Sequence, residues 1–120
     1  MMARALIVYD GICAPRVVYP NLRIMRAPWT RALGLIGKRH VDPRCAYLFG
    51  HCTSVHTCFM RVPIDVIACD RDMYVLHVET MRPWRLTSKR VHKTRTIIEA
   101  AAGTAAELGI KPGCILSVAS

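Results

Sequence analysis

His56 and Asp65 stand nine residues apart in a dense apolar run, with Met60 between them. The run reads Ser-Val-His-Thr-Cys-Phe-Met-Arg-Val-Pro-Ile-Asp over residues 54–65. An imidazole held by a carboxylate is a proton donor and acceptor near neutral pH. Three readings of His56 compete. It is a partly buried histidine bonded to a backbone carbonyl or to Asp65. It is a binding or catalytic group oriented by Asp65 or Glu99. Or it joins Cys58 and Met60, with Cys52 or His51, in a soft site suited to copper(I) or zinc. The spacing matches no standard zinc pattern, so no metal is expected.

The two acids have plain structural alternatives. Asp65 follows Pro63 and is flanked by Ile64 and Val66. A carboxylate there needs donors or a place at a rim, because an unpaired buried charge is costly. It accepts backbone N–H bonds in a turn, or it pairs with His56. Glu99 follows Ile97 and Ile98 and forms a salt bridge to an arginine, or serves as the acid of a site. Arg31 and Arg61 are candidate rim residues. Ser54 is not in a strand-to-helix nucleophile elbow. No glycine-rich phosphate loop follows a strand, so no cofactor is expected.

Strands must position these side chains. Residues 5–9, 16–19, 22–26, 47–49, 55–60, 64–69, 73–79, 96–99 and 115–118 are short β-rich runs separated by turn residues. Side chains alternate along a strand. In 55–60 this puts Val55, Thr57 and Phe59 on a core face, and His56, Cys58 and Met60 on the other. The short Arg61-Val62-Pro63 link then brings Asp65 to the rim beside His56. Thr30 is a plausible N-cap for a short helix ending at Gly37. Thr104-Ala-Ala-Glu107 matches a capping box. Lys111-Pro112-Gly113-Cys114 suits a type II turn. Such elements predict a mainly-β domain, a sandwich or small barrel with two short helices.

The chain has 120 residues, 52% of them hydrophobic, enough for one domain over 1–120 with a core of its own. No apolar run approaches the ~18 residues of a membrane span. The run 5–9 is too short for a secretory core. The reading is cytoplasmic, not membrane-bound, with six reduced cysteines rather than a disulfide framework. Net charge is +9. Residues 82–95 carry Arg82, Arg85, Lys89, Arg90, Lys93 and Arg95 and no acid. This stretch attracts anions, yet Trp84 is its one aromatic. It predicts weak, nonspecific, salt-sensitive nucleic-acid binding at most.

Three blocks resemble the family called domain of unknown function 192. They are Ala32-Leu33-Gly34-Leu35-Ile36-Gly37, the run from Val55 to Ile67 closed by Asp70, and Ile98-Glu99-Ala100-Ala101-Ala102-Gly103-Thr104 continuing through Gly109-Ile110-Lys111-Pro112-Gly113. Leu33 stands where that family usually has arginine, and Cys114 where it usually has aspartate. The resemblance covers about residues 20–118. It implies a compact β-sandwich of jelly-roll type with small helices, and no activity.

The function expected is a module binding a small molecule or protein, through His56, Met60, Asp65 and Glu99 with Arg31 and Arg61. The alternatives are a hydrolase or isomerase using a His/carboxylate pair, and a nucleic-acid accessory protein using 82–95.

Overall fold

A computed structural model describes residues 4–26 and 35–120. Among these residues, eight strands and one short helix follow in the order β1 (Ala5–Tyr9), β2 (Arg16–Tyr19), β3 (Asn21–Ile24), β4 (Cys45–Gly50), β5 (Ile64–Cys69), β6 (Val75–Met81), β7 (Thr96–Ala101), α1 (Thr104–Glu107) and β8 (Ile115–Ala119). They form a three-stranded sheet, β2-β1-β8, and a five-stranded sheet, β3-β4-β7-β5-β6. The pairing is antiparallel except for β3 with β4.

Two apolar clusters explain this arrangement. The first holds Leu6 and Val8 of β1, Leu48 of β4, Ile67 of β5, Ile98 of β7 and Leu116 of β8. It therefore lies between the two sheets. The second holds Tyr47, Phe49, Ile64, Val66, Met81 and Ile97, the alternate residues of the same strands. Leu35, Val41 and Met60, from segments outside the strands, cover that face. The five-stranded sheet is thus buried on both sides. All six residues of β5 are buried, including Asp65. A strand buried on both faces reads as a continuous apolar run, and Ile-Asp-Val-Ile-Ala-Cys does so apart from its acid.

Several expectations change. The mainly-β reading with two layers holds, but neither sheet closes on itself among the described residues, so the small-barrel alternative is replaced by two open sheets. The helix expected from Thr30 lies largely outside the described residues, and residues 35–37 form a turn. The capping box at Thr104 does not form. Gly103, at φ 86°, is the N-cap, and no side chain caps the helix. The Thr104 hydroxyl donates instead to the Ala101 carbonyl at 2.7 Å and lies 2.8 Å from the buried Tyr19 hydroxyl. The turn at 111–114 does form: the Cys114 amide donates to the Lys111 carbonyl, and Gly113 has φ 101°.

Residues 55–60 are not a strand. Thr57 is fully buried and is the reason. Its amide donates to the Arg85 carbonyl at 2.9 Å, and its own carbonyl accepts from the Trp84 amide at 2.8 Å. Its hydroxyl donates to the Arg82 carbonyl at 2.6 Å and accepts from the Arg85 amide at 2.8 Å. These bonds replace a strand ladder. Phe59 then takes a left-handed φ of 65°, which breaks the alternation. Phe59 turns outward and is exposed, while Met60 is buried.

Candidate functional site

Strand β7 sets the site. Ile98 and Ala100 face the cluster between the sheets, and Ile97 faces the other. Glu99, two residues on from Ile97, therefore projects to the second face. Its cross-strand neighbours are Tyr47 on β4 and Val66 on β5, both buried in that second cluster. The carboxyl stands on a central strand among apolar side chains, at 7% exposure.

Above it the loops leave a half-open pocket of about 230 Å³. Leu35, Ile36, Phe49, Val55 and Met60 supply apolar walls, and Cys52, His56 and Glu99 the polar groups. Residues 52–60 are fixed over the sheet by two anchors. Ser88 brackets Val55, its amide donating to the Val55 carbonyl at 2.7 Å and its hydroxyl accepting from the Val55 amide at 3.0 Å. Thr57 provides the other anchor through its bonds to Arg82 and Arg85.

Electrostatics single out Glu99. No hydrogen bond or ion pair to its carboxyl is present among the described residues, so the arginine salt bridge expected for it is not seen there. Burial pushes the Glu99 pKa up to about 7. The group is therefore poised between its neutral and charged forms near neutral pH. A neutral carboxyl donates one hydrogen bond, and the carboxylate accepts several or holds a cation. At His56 the Nδ1 atom accepts from the Cys58 amide at 3.2 Å. The neutral ring then carries its proton on Nε2.

The pocket brings His56, Met60 and Glu99 together. Asp65 lies elsewhere, and the expected His56–Asp65 pair does not form. Asp65 sits on β5 between Ile64 and Val66, which face the pocket side. It projects to the opposite face, where its Oδ1 accepts from the Thr80 hydroxyl at 2.6 Å and its Oδ2 from the Ala105 amide at 3.0 Å. Asp65 thereby ties α1 to the sheet. Arg61 is exposed and does not line the pocket. Arg31 lies outside the described residues.

Of the residues weighed for a soft metal, Cys52, His56 and Met60 line the pocket, whereas His51 and Cys58 do not. The His51 ring accepts from Arg95 Nε at 3.2 Å, and the Cys52 thiol donates to the Ser54 carbonyl. Among the described residues no three His, Cys, Asp or Glu side chains converge as metal ligands. Phe49 and Val55 were missed as site residues. The available signal was register: Phe49 pairs with Ile97, two residues along the ladder from Tyr47 and Glu99 and so on the same face.

Comparisons with known proteins agree with the resemblance read from the three blocks. The model of the family DUF192, described as Uncharacterized ACR, matches residues 15–118. A UPF0127 protein of Pyrococcus horikoshii is 38% identical over 89 residues, covering 69% of this chain and 74% of that protein. A crystal structure of a protein of unknown function from Novosphingobium aromaticivorans superposes with a TM-score of 0.78 at 20% identity, over 94% of this chain and 83% of that one. A candidate transcription regulator from Sinorhizobium meliloti superposes with a TM-score of 0.80 at 19% identity, over 97% of this chain and 92% of that one. At these identities the two structures establish a shared fold only. Among the described residues, no helix is long and apolar enough to cross a membrane.

Proposed function

The chain belongs to the DUF192 family of uncharacterised proteins, and from that premise we propose that it is a binding module for a small molecule, with its site in the Glu99 pocket. One observation carries the reading: a buried carboxyl with no partner among the described residues forms a wall of a mainly apolar pocket. Leaving such a group unpaired is costly, and a ligand that pairs it recovers that cost. The pocket is smaller than the roughly 300–1,000 Å³ that drug-sized ligands occupy. The ligand is therefore small. Its body is apolar, to match Leu35, Ile36, Phe49 and Met60. Its head is a cationic nitrogen or another strong hydrogen-bond donor, to match Glu99. His56 contributes a second polar contact.

The test is calorimetry with a panel of short alkylamines, alcohols and amides, at pH 7 in two buffers of different ionisation enthalpy. Amines are expected to bind with release of a proton, because the cation draws Glu99 into its charged form. Glu99→Gln should abolish the proton release and weaken amine binding at least tenfold. Equal binding by wild type and Glu99→Gln, or no binding across the panel, would refute the assignment.

A second reading has one observation in its favour. His56 and Glu99 line the same pocket, and a carboxyl near neutral pKa beside an imidazole is an acid–base pair for a hydrolase or isomerase. It requires a bell-shaped pH–rate profile that Glu99→Gln removes.

A further inference from the structure

The connection between β6 and β7 is irregular yet tethered along its length. The Thr57 amide donates to the Arg85 carbonyl, the Ser88 amide to the Val55 carbonyl, and the Cys52 amide to the Arg95 carbonyl. The contacts follow one another in antiparallel order, so this connection lies against residues 52–57. Arg82, Arg85, Lys89 and Arg90 are exposed along it. At the Arg82 end the fold supplies what the stretch itself lacks, a second aromatic. Phe59 and Trp84 are 63% and 61% exposed, with ring centroids 4.7 Å apart and planes inclined by 56°.

Two unfavourable features coincide there. Large aromatics face water, and both residues adopt left-handed backbone, Phe59 at φ 65° and Trp84 at φ 66°. Bulky residues take that conformation only where the surroundings enforce it, and such places concentrate at functional surfaces. The enforcing contacts are those of Thr57, which holds both segments at once.

We propose that this face binds single-stranded nucleic acid, with bases stacked on Phe59 and Trp84 and phosphates carried by Arg82, Arg85, Lys89 and Arg90. Charge complementarity fits the partner: the chain has net charge +9 and residues 82–95 contain no acid. Aromatic stacking beside a cationic track is the recognition mode of single strands, tolerant of sequence. A duplex keeps its bases stacked inside and offers them to neither ring. A lipid surface fits less well. Arg85 sits between Trp84 and Leu86, and Arg61 is two residues from Phe59, so insertion of the rings would carry guanidinium groups toward hydrocarbon. The track has an end. Asp70 and Asp72 stand with Arg71, Lys93 and Arg95 around a groove at its far end, while the Glu79 carboxylate lies beside its middle, accepting from the Lys89 amide at 2.9 Å. The two aspartates repel phosphate at that end, so the path runs from the aromatic pair toward Arg90 and stops short of Arg95.

The experiment is fluorescence anisotropy with a labelled strand of about 12 nucleotides, within the usual site size of single-strand binders, as RNA and as DNA. The matching duplex, anionic vesicles and several salt concentrations complete it. Single strands are expected to bind at least fivefold more tightly than duplex. Trp84→Ala and Phe59→Ala should each weaken single-strand binding at least fivefold while leaving the salt dependence unchanged. Lys89→Ala with Arg90→Ala should weaken it and flatten the salt dependence. Circular dichroism of each variant checks the fold, which exposed ring removals should preserve. Equal affinity for duplex and single strand, indifference of single-strand binding to both ring removals, or tighter binding to vesicles than to either strand would overturn the proposal.

Discussion

Replacing Glu99 with glutamine should stabilise the protein in a pH-dependent way. The wild-type carboxyl has its pKa moved from 4.5 to about 7 by burial alone. At 1.36 kcal/mol per pH unit, ionising it in the folded state costs ~3 kcal/mol relative to the unfolded chain. The sign follows from proton linkage. A carboxyl with a raised folded pKa holds its proton more tightly when folded. Between pH 4.5 and about 7 the native state binds more protons than the unfolded state, so stability falls as pH rises through that window. Above it the whole penalty is present, and below pH 4.5 it is absent. Glutamine keeps the shape and does not titrate. Urea unfolding of both proteins at pH 4, 6 and 8 is the assay. Glu99→Gln should match wild type at pH 4 and exceed it by about 1–3 kcal/mol at pH 8, or roughly 4–12 °C in Tm for a domain of this size. A difference that does not change with pH would refute the reasoning. So would a wild type that is the more stable at pH 8, because the charged carboxylate would then be well paired.

Three further outcomes follow from the geometry. Thr57→Val should destabilise the fold by about 2–3 kcal/mol in denaturant melts, since the Arg82 carbonyl and Arg85 amide both lose their buried partner. Asp65→Asn should cost about 1–3 kcal/mol in denaturant melts, through its bonds to Thr80 and Ala105. Tyr19→Phe should cost about 1 kcal/mol by thermal unfolding, the worth of the buried bond shared with Thr104.

Strands with a plain signal were legible. The runs at 5–9, 16–19 and 64–69 coincide with β1, β2 and β5, and those at 96–99 and 115–118 fall short of β7 and β8 by only a residue or two. β-Branched residues and turn chemistry sufficed there. Residues 55–60 misled for a definite reason. Their apolar alternation matches a strand, but Thr57 bonds to residues 82–85, a partner segment that no local pattern shows. The consequence propagates to the site. With Phe59 left-handed, Met60 reaches the pocket and Phe59 reaches solvent. Asp65 looked close to His56 along the chain, and the pleat of β5 sends it to the other face. Glu99 was legible as a carboxylate in an apolar strand, whereas its company depended on the register of β4 with β7. Phe59 and Trp84 meet only through the tertiary fold, so sequence showed a basic stretch with a single ring.

Glu99, a buried carboxyl with no partner among the described residues, is central to the proposed pocket. Its titration by carbon-detected NMR, with the side-chain carboxyl labelled, tests this most directly. The expected midpoint is near the value of about 7 set by burial, falling by at least one pH unit when a saturating short alkylamine is added. A midpoint between 4 and 5 that the amine leaves in place would contradict it.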